Sequence, residues 1–313
     1  MLLLHRGDGF DANFFYHSGV DIDNSFLLVD GRKKTLFVSR LNESLARACF
    51  HGKVVVFDDA FAALSRFIKR KTVFFDDSSL SARAAERLEK VCRLKDYSLT
   101  LLRMRAVKSK DELSKTRRAV KYTKEILHSL DLKSAKTELG VKKQLLLSTL
   151  ELGLEPAFEP IVATDRNSSY PHYSPGNKKL GSLVLVDYGV RYGHYCADLS
   201  RCFILDGDRK KKTQYEKLQE VFHSLLDVLP EMQTGQNLAL EAEKLMQKAC
   251  FPKMIHSIGH GIGLDIHELP RLSKKYEDKL NGSTIALEPA FYLEKYGMRY
   301  EETVHVGKKA TIL

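Results

Sequence analysis

Two aspartates set among apolar runs constrain this chain most. Leu183-Val184-Leu185-Val186 leads into Asp187, Tyr192-Gly193 marks a centre, and Asp198 precedes Cys202-Phe203-Ile204-Leu205. Apolar, β-branched runs on either side of a Gly-containing turn predict a β-hairpin. Asp187 and Asp198 are equidistant from the Tyr192-Gly193 midpoint. An unbulged hairpin would then oppose them directly, with Cβ atoms roughly 4.5–5.5 Å apart. Like charges placed so are destabilising unless a cation lies between them. Paired metals about 3.5–4 Å apart fit such a gap. The hairpin alone leaves two readings open, a metal site or turn-flanking aspartates exposed at a sheet edge.

With 313 residues the chain is long enough for two domains and a large core. An apolar fraction of 43% with 29% charged residues is that of a globular protein, and disorder is excluded. The start, Met1-Leu2-Leu3-Leu4-His5-Arg6, lacks the basic region and apolar length of a signal peptide. No stretch approaches the roughly 20 apolar residues of a membrane span. The five cysteines are irregularly spaced and give neither a disulfide framework nor a zinc pattern. A cytoplasmic protein is expected, without a membrane. Nucleic acid is not the expected partner either. The net charge of +10 divides into +5 for residues 1–105 (18 Lys+Arg, 13 Asp+Glu) and +5 for the rest (32 and 27), so it is spread rather than concentrated.

Residues 25–30 and 35–39 flank an Asp-Gly turn and read as strands. A helix at 42–50, a strand at 53–58, a helix at 60–69, a strand at 72–76 and a helix at 80–91 follow. This alternation predicts an α/β domain over 1–105. Ser109 and Glu112 form a capping-box signature for a long helix to about 130. A second helix is expected over 137–152, a strand over 158–164, then a loop over 165–179 carrying His172. Helices at 212–229 and 236–249 complete the domain over 106–313.

A second cluster is His256-Ser257-Ile258-Gly259-His260-Gly261-Ile262-Gly263-Leu264-Asp265-Ile266-His267-Glu268. Its glycines exclude a stable helix and let backbone pass close to something. Imidazole is the commonest transition-metal ligand. Three histidines in this setting mark a site. Glu288 and Glu301-Glu302 each sit beside strand-like segments. Adjacent strand residues face opposite ways, so only one of the last pair can share a site.

Asp, Asp, His, Glu, Glu in these contexts resembles the metallopeptidase family with the pita-bread (creatinase/aminopeptidase) fold, over about residues 106–313. The motifs are Val-Asp-x-Gly, Ala-Asp-x-Ser-Arg, His-x-x-Gly-His-Gly-Ile-Gly-Leu-x-x-His-Glu, Leu-Glu-Pro and Arg-x-Glu-Glu. Residues 1–105 resemble more loosely the creatinase-type N-terminal domain of the Xaa-Pro aminopeptidase and prolidase branch. The implied fold is an α/β domain followed by an α+β pita-bread domain. The resemblance implies two divalent metal ions held by Asp187, Asp198, His260, Glu288 and Glu301, with Asp198 and Glu301 bridging. An oxygen-rich set favours Mn²⁺ or Co²⁺, with Fe²⁺ or Zn²⁺ as alternatives. It further implies hydroxide generated between the ions, with Glu288 as general base and acid. His172, His256 and His267 match histidines that hold substrate or shuttle protons. Arg299 matches a residue steadying the ligand carboxylates, and Arg271 is placed as in some prolidases to meet a substrate carboxylate.

Ser200, Ala290 and Thr164-Asp165 depart from the commoner Thr, Gly and Ser-Gly, and none is a ligand. The implied activity is hydrolysis of Xaa-Pro bonds in short proline-containing peptides by a homodimer. A methionine aminopeptidase and a non-catalytic pita-bread binding protein are the alternatives.

Overall fold

A computed structural model describes residues 1–313, which form two compact units, Met1–Arg105 and Ala106–Leu313. The first contains β1 (Leu2–Arg6), α1 (Ala12–Ser18), β2 (Ser25–Asp30), β3 (Lys33–Ser39), α2 (Glu43–Cys49), β4 (Lys53–Phe57), α3 (Ala60–Ile68), β5 (Thr72–Phe75), α4 (Ala82–Glu89) and β6 (Arg93–Asp96). It closes with α5 (Ser98–Ala106). The strands make one mixed sheet in the order β4-β3-β2-β1-β5-β6. Both faces are buried, because successive residues feed different cores. Leu3, Phe26, Leu28 and Phe37 pack with Leu64, Ile68 and Leu88. Leu4, Leu27, Leu36 and Val38 pack with Phe14, Ala46 and Leu101. Each of these leucine, isoleucine, valine and phenylalanine side chains contributes about 1.5–3 kcal/mol on burial. Strand β1 has no sequence signature of its own. Its three leucines are too few to show a period, and only pairing with β2 and β5 makes them a central strand.

The second unit opens on α6 (Lys110–His128), whose capping box is formed by Ser109 and Glu112. Then come α7 (Leu132–Ala135), α8 (Glu138–Glu151), β7 (Glu155–Pro156), β8 (Ile161–Thr164), β9 (Leu183–Tyr188), β10 (Val190–Tyr192), β11 (Tyr195–Cys196) and β12 (Leu199–Ile204). Helices α9 (Arg209–Val228) and α10 (Gly235–Lys248) precede β13 (Gly259–Gly261), β14 (Glu268–Arg271), β15 (Thr284–Leu287), β16 (Ala290–Tyr292), β17 (Gly297–Arg299), β18 (Glu302–Val306) and β19 (Ala310–Ile312). The expected strand 158–164 forms only from Ile161, since Pro160 has no N–H to offer a ladder. Strand β9 serves two cores. Val184, Val186 and Tyr188 pack with Val120 of α6 and Leu145 of α8. Leu183 and Leu185 pack with Phe222 of α9 and Met246 of α10. By the same period-two alternation, Asp187 continues the Leu183/Leu185 face.

The hairpin differs from its expected register. Its turn is Gly193-His194, both with positive φ (55° and 70°), as a two-residue type I′ connection requires. Arg191 pairs with Cys196, and Asp187 pairs with Ser200 rather than Asp198. The two aspartates are therefore diagonal neighbours on one face, where contact spacings are roughly 7–8 Å. Glycine at 189 is obligatory, because a Cβ there would lie 1.7 Å from Ala197 O.

Candidate metal centre

Four segments deliver the acidic cluster. Asp187 is the penultimate residue of β9, Asp198 lies between β11 and β12, Glu288 follows β15, and Glu301 lies between β17 and β18. His260 is the middle residue of β13, held between β14 and β15. All five line one cavity of 380 Å³, together with His172, His267 and Arg299. One ligand atom from each of Asp198, His260 and Glu301 lies within 4.8 Å of the others. Glu302 points away, to Arg201 and Lys124. That outcome follows from alternation, since Ser200 and Glu301 share one side of the sheet and Arg201 and Glu302 the other.

A single arginine answers the carboxylates from within. Arg299 is 3% exposed. Its Nη2 donates to Asp187 Oδ2 at 2.6 Å, Nε to Ser200 Oγ at 2.7 Å and Nη1 to the Tyr292 hydroxyl at 3.0 Å. Ser200 Oγ in turn donates to Glu301 Oε2 at 2.8 Å. Burial and the neighbouring Asp187 and Glu288 hold the Asp198 carboxyl well above the usual range. Burial and Asp198 do the same to Glu301, and burial raises Glu288. Asp187 Oδ1 and Asp198 Oδ1 are buried without a hydrogen-bond partner. Three buried carboxylates, the partly buried Glu288, one arginine and two orphaned oxygens are unfavourable as they stand and fit hard or borderline divalent cations.

The histidines have defined roles in hydrogen bonding. His260 Nδ1 faces Gly261 O at 3.1 Å. A carbonyl only accepts, so Nδ1 carries hydrogen and the Nε2 lone pair is left toward Asp198 Oδ2, 3.5 Å away. His267 packs edge-on to His260 with ring centroids 4.3 Å apart. Burial, then His260 and His172, bring its pKa down to about 4. His172 and Tyr173 reach the cavity from the loop between β8 and β9.

Two expected site residues are placed differently. His256 is outside the lining of this cavity. Its Nδ1 donates to Ser257 O at 2.7 Å, its Nε2 accepts from the Tyr292 hydroxyl at 2.9 Å, and Glu288 Oε2 is 3.9 Å from Nδ1. Burial lowers its pKa to about 4, which keeps the ring neutral. Arg271 is also outside the cavity lining. It forks onto Asp278 (Nε–Oδ2 2.7 Å, Nη2–Oδ1 3.1 Å) and lies 3.6 Å over the Tyr276 ring. The strand pattern gave no sign of either neighbour.

Sequence reasoning missed Tyr292 and the part played by Ser200. Burial pushes the Tyr292 hydroxyl up to about 12, so it stays protonated between His256 and Arg299. Its only sequence signal is a position within strand β16, close after Glu288.

The profile of metallopeptidase family M24 matches residues 114–308. Over 306 residues the chain is 28% identical to the Xaa-Pro dipeptidase of Pyrococcus furiosus, covering 94% of this chain and 88% of that protein. The solved prolidase from Pyrococcus furiosus superposes with a TM-score of 0.89 at 25% identity, over 99% of this chain and 95% of that one. The X-Pro aminopeptidase from Thermotoga maritima has a TM-score of 0.90 at 24% identity, over 99% and 94%, and is a likeness of fold. No helix is long and apolar enough to cross a membrane.

Proposed function

This chain belongs to metallopeptidase family M24 and has its pita-bread fold, and on that premise we propose that it hydrolyses Xaa-Pro bonds in short peptides with two divalent metal ions. The observation that carries the reading is the buried donor set with two unpartnered carboxylate oxygens in a cavity of peptide-compatible size. Asp187, Asp198, His260, Glu288 and Glu301 would hold the ions. Mn²⁺ or Co²⁺ suits the oxygen-rich set. When bound, the cations supply a water acidified to near-neutral pKa and polarise the scissile carbonyl.

The residues of the chain do the rest. Glu288, whose carboxyl is raised by burial, accepts the proton from the attacking water and returns it to the leaving nitrogen. A proline nitrogen has no hydrogen of its own, so this delivery completes the cleavage. His172 and His267 line the cavity and can donate to the carbonyl oxygen as it gains charge. His256 is fixed by Ser257 and Tyr292 and steadies the region around Glu288. Arg299 keeps Asp187 oriented. Arg271 would have to leave Asp278 before it could meet a substrate carboxylate. Family resemblance supports residues 1–105 as the creatinase-type accessory domain of a cytoplasmic homodimer.

The test is hydrolysis by metal-stripped protein reloaded with Mn²⁺ or Co²⁺, with Asp198→Asn as control. Cleavage of an Xaa-Pro dipeptide alone assigns a prolidase, and preference for an Xaa-Pro-Xaa tripeptide assigns an aminopeptidase. Cleavage of Met-Ala-Ser alone overturns the proline reading. No cleavage of any of the three with metal bound overturns the catalytic one.

A further inference from the structure

Glu138 is a fully buried acid outside the metal set. It opens α8 behind the Thr137 cap, where the unpaired N–H groups and dipole of the helix favour negative charge. Its oxygens are spent on one segment. Oε1 accepts from Thr164 N at 2.9 Å and from Asn167 Nδ2 at 2.8 Å, and Oε2 accepts from Gly176 N at 3.3 Å. The same helical turn grips the segment's far end through Glu138 N to Lys178 O at 3.1 Å and Leu139 N to Gly176 O at 2.9 Å. Asn167 Nδ2 also donates to the Tyr173 hydroxyl at 2.7 Å. The chain between these ties carries His172, Tyr173, Ser174 and Pro175, which form one wall of the cavity.

We propose that Glu138 is a positioning residue that fixes the His172–Pro175 wall for the peptide substrate. This inference rests on the metallopeptidase reading above. With Glu138 intact, the segment is ordered before substrate arrives. Without it, substrate binding has to order the segment, and that conformational entropy opposes binding. The effect therefore falls on KM more than on kcat. Glu138→Gln is informative because its amide keeps one acceptor and sets N–H groups against the other donor. The ties to Thr164 and Asn167 stay and the tie to Gly176 N is lost, so the far end is held only by the backbone bonds of Glu138 and Leu139.

The test compares wild type, Glu138→Gln and the milder Asn167→Ala, all loaded with Mn²⁺. The readouts are steady-state kinetics on an Xaa-Pro peptide, calorimetric Mn²⁺ affinity, and amide hydrogen exchange across residues 164–178. KM should rise about tenfold in Glu138→Gln and less in Asn167→Ala, with kcat within threefold and Mn²⁺ affinity unchanged. Exchange should quicken in 164–178 and not in α9. Unchanged KM per folded molecule, or unchanged exchange in the segment, overturns the proposal. So does a loss that tracks only the folded fraction in thermal unfolding. If wild type cuts no Xaa-Pro peptide, the functional reading fails, and the exchange arm still decides whether Glu138 holds the wall.

Discussion

Strands β2 and β9 have nearly the same sequence logic and opposite outcomes. Ser25-Phe-Leu-Leu-Val-Asp30 is followed by Gly31, and Leu183-Val-Leu-Val-Asp187 by Tyr188-Gly189. Both are apolar runs ending in an aspartate near a glycine. Asp30 is exposed at a hairpin end, paired in register with Lys33. Asp187 is 7% exposed and fastened to Arg299. The first sheet is covered by apolar helices on both faces and its charge goes to the rim. The second presents its aspartate to segments more than 100 residues away that bring an arginine and further acids. Local pattern says that an acid ends a strand, and distant partners decide whether it sits at a rim or in a buried acidic cluster.

The largest expected contrast follows from that difference. Asp198→Asn should lower Mn²⁺-dependent hydrolysis by more than the roughly 10–100-fold typical of lost supporting partners, whereas Asp30→Asn should leave it unchanged. Parallel kinetics with calorimetric metal titration measure both, and an active Asp198→Asn would remove the role of the acidic cluster that Asp187 joins, and with it the functional contrast with Asp30. Next is Arg299→Met. Removing one partner of a buried pair costs about 3–5 kcal/mol, so the metal-free variant should unfold at markedly lower urea, while Arg201→Met at the half-exposed pair with Glu302 should cost less.

The glycines after the two aspartates sharpen the comparison further. Gly189→Ala meets backbone at Ala197 and should cost about 3 kcal/mol by overpacking. Gly31 has φ +58° and open space around it, so Gly31→Ala should cost only about 1–2 kcal/mol of left-handed strain. Chemical unfolding of both variants would check the order.

The smallest effect belongs to the first unit alone. Burial, then Lys34 and Arg105, lower the His17 pKa from 6.5 to about 4. Between those values the unfolded chain binds more protons, so stability is full above about pH 6.5 and falls as pH drops toward 4. After allowance for partial exposure the loss is about 1–2 kcal/mol. Melting of wild type and His17→Leu at pH 7.5 and pH 5 should show a steeper decline in wild type. Equal slopes would remove His17 as the cause.

Much of the fold was readable because its elements obey local rules. The Ser109/Glu112 capping box and the amphipathic periods of α9 and α10 each depend on residues within one or two turns. The acids and histidines were readable as chemistry because those side chains, placed among apolar runs and glycines, are costly without a ligand. Strand β1 escaped notice because three leucines carry no period. Asn167, Tyr292 and Ser200 escaped because a hydrogen-bonding residue has no signature until its partner is known.

The sequence by itself determined which acids and histidines are candidates for the site and which strand face each strand residue takes, since alternation is a property of the backbone. Tertiary structure decided the hairpin register, with its turn at Gly193-His194 and Asp187 across from Ser200. It decided that Arg271 is bound to Asp278 and that Glu138 ties down the His172 loop. Periodicity encodes direction over a few residues. The pairing of buried charges is settled by desolvation and distance among groups remote in sequence, and these exist only once the chain has folded.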